Sequence, residues 1–316
     1  MMMKCKVNLK IADTVILMQS RFPQEQLSAE EQKLQVTERF DNFFYKGSQR
    51  PDILIHIDIV DKLPEIHNTK PVFITYHFQD KSENWRLLKK GETYIYKCPL
   101  EDKKQIMLVN KTFNRVKAYL LPKKNKGKVW NTSDIIYDFL QVLLINYFAQ
   151  RNQGIFTHSV GIKDVDDRGL LFAGKSGAGK STTARLWHKH SKAMVLNDDR
   201  IIVRKVNGKF FIYGSPWHGE FSDYLASRIE SAPLKKIFFI HHSPKNIATQ
   251  ISPKPAFNLL YPALFPTFWD KNCLENIAAF CADLIKHVPC YSLGFVNNEK
   301  VINFTRGCKD GKKTKI

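Results

Sequence analysis

Apolar and polar positions alternate with a period of two over much of the first 120 residues or so, the signature of half-buried strands. Ile53, Ile55, Ile57 and Ile59 are interleaved with Leu54, His56 and Asp58, and Val72, Ile74 and Tyr76 repeat the pattern. Tyr94 to Tyr96 and Ile106 to Val109 read alike, and Pro64, Asn68 and Pro71 supply turns between them. The pattern predicts a smaller, strand-rich N-terminal domain over 1–128, built as an antiparallel sheet with one helix around 29–40. Its His56, His67 and His77 fall on different strands or turns, where histidines serve structure. Residues 122–128, PKKNKGK, have the composition of an exposed connector. Beyond them the period changes. Asn131, Thr132 and Ser133 offer capping oxygens, and Ile136, Phe139, Leu140, Leu143, Leu144, Tyr147 and Phe148 recur at helical spacing. A bridging helix over 132–150 is expected, opening a second domain over 129–316.

In that second domain Thr157, Ser159 and Gly161 alternate with His158, Val160 and Ile162, and a polar turn at 164–168 leads into the apolar triplet Leu170, Leu171, Phe172. The expected hairpin feeds a glycine-rich loop and then a helix from about Lys180, with Leu186 and Trp187 on its buried face. Residues 193–196 form the next short strand, ending at Asn197, Asp198 and Asp199. Strands at 201–204 and 210–213 flank Asn207-Gly208, a strong two-residue hairpin turn. A polar turn from Gly214 to Glu220 surrounds Trp217. Further on, the pattern predicts a strand at 237–240, helices at 258–264 and 276–287, a strand at 291–295 and a basic tail.

The loop carries chemistry. Gly174, Gly179, Lys180 and Ser181 fill the pattern G-x-x-x-x-G-K-[ST], in which backbone amides wrap phosphate oxygens, the lysine meets the β and γ phosphates and the hydroxyl holds Mg²⁺. A helix start adds unpaired amides and a positive dipole end. The expected nucleotide site is therefore Gly174, Lys175, Ser176, Gly177, Ala178, Gly179, Lys180, Ser181 and Thr182, with ATP and Mg²⁺ as ligands. Gly174, Gly177 and Gly179 are expected at positive φ. Phosphoryl transfer further requires a group to deprotonate or orient the attacking oxygen. Asp198 and Asp199 end the strand after the loop's helix, so one can hold the metal while the other accepts a proton. His158, on the preceding strand, can carry charge, bind a second metal or shuttle a proton. His218 and Glu220 could line the acceptor side or simply belong to a polar turn fixed by Trp217. Arg200 and Lys175 are further cations that could act on the transferring phosphate or face solvent.

Composition narrows the partners. The 316 residues carry a formal net charge of +19 with 43% hydrophobic content, enough apolar material for two cored domains. A charge of that sign attracts nucleic acid, an acidic protein or a polyphosphate, or merely solvates the surface. No Cys/His finger, RNA-recognition signature or continuous basic helix accompanies it, which disfavours nucleic acid. Six cysteines without a C-x-x-C pair suit buried thiols in a reducing compartment. Val15 to Met18 is too short for a signal-peptide core, and 135–149, interrupted by Asp138, Gln141 and Asn146, falls short of a membrane span. A cytoplasmic protein without a membrane span is expected.

The succession HSVGI, a short hairpin, GLLFAGKSGAGKST, then VLNDD and a further hairpin resembles the catalytic domain of the HPr kinase/phosphorylase family, itself related to ATP-dependent phosphoenolpyruvate carboxykinases. The resemblance covers 154–220 well and 232–302 more loosely. It implies an α/β (α+β) fold whose C-terminal P-loop kinase domain is built on a mixed sheet. It also implies Lys180 and Ser181 on nucleotide and metal, Asp198 as the metal-linked carboxylate, Asp199 as general base and His158 beside the γ-phosphate. Homo-oligomers occur in that family. The chain departs from it at Thr182, where those kinases carry Glu, and lacks their arginine-bearing segment after the aspartates. The leading expectation is thus a Mg²⁺-dependent kinase that moves the γ-phosphoryl group to a hydroxyl, a serine of a peptide or protein, acidic acceptors being favoured by the surface charge. A nucleotide-gated regulatory module and a nucleic-acid-stimulated ATPase are the alternatives.

Overall fold

The computed structural model describes residues 2–23, 38–76, 80–98, 105–121, 132–219, 229–308 and 314–315. Two compact units divide the chain, Met1–Tyr147 and Phe148–Ile316. The boundary falls inside the helix α1 (Thr132–Gln150), whereas the connector at 122–128 lies outside the described residues, as does most of the helix expected at 29–40.

The first unit holds β1 (Met2–Ile11), β2 (Thr14–Pro23), β3 (Ile53–Ile59), β4 (Pro71–Tyr76), β5 (Glu83–Lys90), β6 (Thr93–Cys98), β7 (Gln105–Val109) and β8 (Arg115–Leu120). They form one sheet in the order β1-β2-β3-β8-β7-β6-β5-β4. The expected antiparallel sheet is corrected at its centre, because β3 runs parallel to both neighbours, β2 and β8. Alternation reports which face a side chain takes and is silent on the direction of the adjacent strand. The faces themselves follow the pattern. Leu87, Tyr96, Met107, Ala118 and Ile57 pair in one row across five strands, and all five are buried. Phe139 of α1 meets Tyr96 edge-on at 5.3 Å between ring centroids. On the opposite face Leu63 and Ile66, from the β3–β4 connection, pack on Leu88, Ile95 and Ile106.

The second unit begins with β9 (Gly154–Lys163), β10 (Gly169–Ala173), α2 (Lys180–His190), β11 (Met194–Asn197), β12 (Arg200–Val206) and β13 (Lys209–Tyr213). It continues through β14 (Ser231–His242), β15 (Ile247–Gln250), α3 (Pro253–Leu260), α4 (Lys271–His287), β16 (Cys290–Phe295), α5 (Lys300–Arg306) and β17 (Thr314–Lys315). The sheet is mixed: β10 lies antiparallel to β9 and parallel to β14, and β14 lies parallel to β16. All five residues of β10 are buried, as a strand covered on both faces requires. Trp187 and Ala184 of α2 join Phe172, Phe238 and Tyr291 on one side. Ile277, Phe280, Cys281 and Leu284 of α4 join Leu171, Ala173, Ile237 and Phe239 on the other. Each large side chain so buried stabilises the fold by about 1.5–3 kcal/mol, and together they clamp β10 so that its C-terminal end has a fixed position.

The expected helix at 258–264 is displaced to Pro253–Leu260, followed by a 3₁₀ turn at Tyr261–Ala263. Ser252 precedes it with extended backbone and Pro253 fills its first turn, where a missing amide costs nothing. The strand β15 and the helix α5 have no counterpart in the expected pattern.

One ion pair ties α5 to the β9–β10 turn. Arg306 donates Nε to Asp164 Oδ2 at 2.9 Å and Nη2 to Oδ1 at 2.7 Å, and its guanidinium lies over the Trp187 ring at 5.2 Å. The Asp164 side chain is 1% exposed and that of Arg306 28%. Arg306→Ala leaves a buried carboxylate without its cation, so the unfolding free energy is expected to fall by about 2–3 kcal/mol, less than for a wholly buried pair. Urea titration of both proteins checks this, and an unchanged midpoint would contradict it.

Candidate functional site

The candidate site forms where the β9–β10 pairing begins, opposite the junction of β11 and β12 on the other edge of β9. Residues 154–158 of β9 pair with β12, ending at His158↔Arg200, and from Ser159 onward β9 pairs with β10, beginning at Ser159↔Ala173. That register sets His158 one residue beyond the last β10 pair, where the chain leaves the sheet at Gly174. On the other edge β11 and β12 lie end to end along β9, with Asp198 and Asp199 between them. The glycine loop, the histidine and both aspartates therefore share one edge of the sheet.

Within the loop, Gly177 and Gly179 have φ of +78° and +99°, values that disfavour any residue with a Cβ. Gly174 does not share this conformation, contrary to expectation; its requirement is proximity, since a Cβ there would sit 2.9 Å from Ala178 Cβ and 3.0 Å from Ile240 Cγ1. Gly179 caps α2 without a side-chain hydrogen bond, and no acidic residue occupies the first turn. The amides and dipole of this 11-residue helix are thus left to an incoming anion. Lys175 and Ser176 are exposed at the tip, while Ser181 and Thr182 are half-buried at the helix start. Lys180 is buried, and its ammonium donates to Gly174 O at 2.9 Å and Lys175 O at 3.1 Å. Burial pushes its pKa down, and the nearby Asp199 charge opposes that.

Asn197 builds the acidic turn. Its Oδ1 accepts from the amides of Asp199 at 2.8 Å and Arg200 at 2.9 Å, and its Nδ2 donates to Ser215 O at 2.9 Å. Asp198 is 6% exposed and accepts from the Gly219 amide at 2.9 Å. A Cβ on Gly219 would approach Asp198 Oδ2 to 2.8 Å and Asp199 Cβ to 3.2 Å, so the 214–219 turn lies close over the carboxylate and a larger residue there would push on it. Asp199 is held from two sides: His158 Nδ1 lies 3.0 Å from Oδ1, and Arg200 donates to Oδ2. Arg200 also stacks over Phe265 at 4.4 Å, which orients it toward Asp199. His218 donates Nδ1–H to Gly219 O at 3.2 Å, and Glu220 lies outside the described residues. Sequence reasoning gave no part to Asn197 or Phe265; an Asn heading an Asx-type turn before two aspartates was the available signal for the first.

Burial alone would raise the Asp199 carboxyl, but the His158 hydrogen bond and the charges of Arg200, His158 and Lys180 outweigh it and hold the group below its ordinary value of 3.8. A carboxyl depressed by folding adds stability that is present above its unfolded pKa and is lost as pH falls through the folded one. Asp199 is therefore expected to stay ionised across the neutral range and down past ordinary aspartates. Carbon-detected NMR of the Asp199 side chain checks this; titration above 3.8 would contradict it.

Among the described residues no three His, Cys, Asp or Glu side chains group as metal ligands, and no helix is long and apolar enough to cross a membrane. Comparison with known proteins gives little company. No protein-family model and no curated protein matches the chain. Among solved structures, the Hpr(Ser) kinase/phosphatase from Coxiella burnetii is similar at 10% sequence identity and a TM-score of 0.26, a distant likeness covering 44% of this chain and 78% of that one.

Proposed function

We propose that the second unit is an ATP-dependent phosphotransferase that moves the γ-phosphoryl group to a hydroxyl, a serine of a peptide or protein. The observation that carries this is the juxtaposition at one sheet edge of an uncapped helix start, with Gly177 and Gly179 at positive φ and Lys180 bonded to the loop's carbonyls, and an ionised carboxylate, Asp199. Helix amides without a side-chain cap, together with an ammonium, suit a polyphosphate. A carboxylate beside them suits the proton of an attacking hydroxyl.

In this scheme the acceptor oxygen forms a bond to the γ-phosphorus, the bond from that phosphorus to the β–γ bridging oxygen breaks, and ADP departs with the electron pair. Asp199 takes the hydroxyl proton. Its depressed pKa makes it a weak base, which is adequate where the transition state is loose and the proton leaves late. Lys180 and the amides of the α2 start stabilise charge on the phosphates, and His158 with Arg200 fixes the Asp199 carboxylate. Ser181 and Asp198 are the oxygens suited to Mg²⁺, which keeps few protein ligands beside phosphate and water. When bound, that ion supplies charge neutralisation on the phosphate oxygens. The motif order that resembles HPr kinase/phosphorylase supports a serine hydroxyl as acceptor, and the +19 charge favours an acidic one through steering.

Incubation of the pure protein with γ-labelled ATP, Mg²⁺ and cell extract tests the proposal. A labelled protein or peptide that is absent with Asp199→Asn is expected. Tight nucleotide binding without any labelled acceptor would favour a regulatory nucleotide sensor instead.

A further inference from the structure

β14 ends at His242 and β16 at Phe295, and these two residues are register partners. Their rings stack at 25° with centroids 6.2 Å apart. From this platform His242 Nε2 reaches the phosphate loop, 2.9 Å from Gly177 O. A carbonyl oxygen only accepts, so Nε2 carries the proton and donates it. The peptide gripped in this way is also held at its other end, because Ala178 N donates to Lys175 O at 3.1 Å. That same oxygen and Gly174 O receive the Lys180 ammonium. One chain of hydrogen bonds thus runs from the imidazole through the 177–178 peptide to the lysine of the loop. Packing does little for this peptide: Gly177 is exposed, and a Cβ built on it would find no atom within 4 Å. Phe295, by contrast, is wedged against the next glycine, 2.8 Å from the place of a Gly179 Cβ, so the ring under His242 is itself fixed to the loop's exit.

We propose that His242 is a positioning residue of the nucleotide site, its Nε2–H setting the orientation of the Gly177–Ala178 peptide and so the loop shape that receives the phosphates. The inference rests on the nucleotide-binding reading of the loop. Three variants separate the hydrogen bond from the ring. His242→Gln places an N–H donor near the position of Nε2, His242→Phe keeps the stack on Phe295 without a donor, and His242→Ala removes both.

Dissociation constants for Mg·ATP by calorimetry should rise about five- to tenfold for His242→Phe and His242→Ala, the worth of one hydrogen bond, and return close to wild type for His242→Gln. Wild-type affinity in His242→Phe, or affinity in His242→Gln as low as in His242→Ala, overturns the proposal. Failure of the wild type itself to bind Mg·ATP would fall on the phosphate-loop reading instead. His242 is then tested by amide exchange at Ala178, which should quicken in His242→Phe and not in His242→Gln; equal rates in all three proteins overturn it.

Discussion

Asp199→Asn is expected to lower phosphoryl transfer by about 10²- to 10⁴-fold, the usual contribution of a positioned acid or base, with Mg·nucleotide affinity nearly unchanged. The substitution keeps the volume of a side chain that is fixed on both sides, by His158 at 3.0 Å and by Arg200, so the local geometry has little reason to collapse. What disappears is the anion. The His158 hydrogen bond and the charges of Arg200 and Lys180 hold Asp199 ionised against burial, and without the carboxylate those two cations are uncompensated at one sheet edge. Their combined positive charge favours the polyphosphate, which is why affinity should hold while transfer fails. His158→Gln is the informative companion, because it loosens the carboxylate without removing it and should cost less than the loss of Asp199. Steady-state rates with labelled ATP and a phosphorylated acceptor decide the matter. A variant Asp199→Asn with wild-type turnover would remove the assigned base.

The features of this site that could be read in the chain were the local ones. Gly174 to Ser181 match a phosphate-loop pattern by spacing alone and do turn into a helix start, Asn207-Gly208 dictates its hairpin, where both residues take positive φ, and the alternation through His158 and Val160 gives the strand β9. Contacts between residues distant in sequence were not legible. Period-two alternation in β3 gave its buried face correctly, with Ile53, Ile55 and Ile57 in the core, yet carried nothing about its parallel neighbours. The meeting of two ladders on opposite edges of β9, which sets Arg200 beside His158 and Ala173 beside Ser159, depends on pairings distant in sequence. Arg200 read as a cation for the transferring phosphate or for solvent, with no hint that Phe265, 65 positions away by number, lies under its guanidinium or that the guanidinium donates to Asp199. His242 gave no signal at all, because its meaning comes from β14 running parallel to β10 so that both strands end beside the loop.

Lys180→Met is expected to separate function from stability in opposite directions. The lysine is buried with its ammonium bonded to two loop carbonyls, and burial depresses its pKa from 10.5. For a cation the sign is unfavourable: the fold binds that proton less tightly than the unfolded chain, so at neutral pH the charged lysine reduces stability. Methionine keeps the stem and the packing while removing the charge. The two carbonyls that lose their donor belong to Gly174 and Lys175; Lys175 is exposed, and its oxygen retains the Ala178 amide. The melting temperature should therefore stay constant or rise. Catalysis should fall by about 10²- to 10³-fold in kcat/KM, the scale of losing one preorganised charge at a transferring phosphoryl group, and Mg·ATP binding should weaken with it. Arginine is a poor substitute, because its planar fork cannot reproduce a compact ammonium bonded to two adjacent carbonyls. Thermal melts paired with calorimetric titration measure both halves at once. A fall in melting temperature with nucleotide binding preserved would make Lys180 a structural strut of the loop and take the phosphate site away from it.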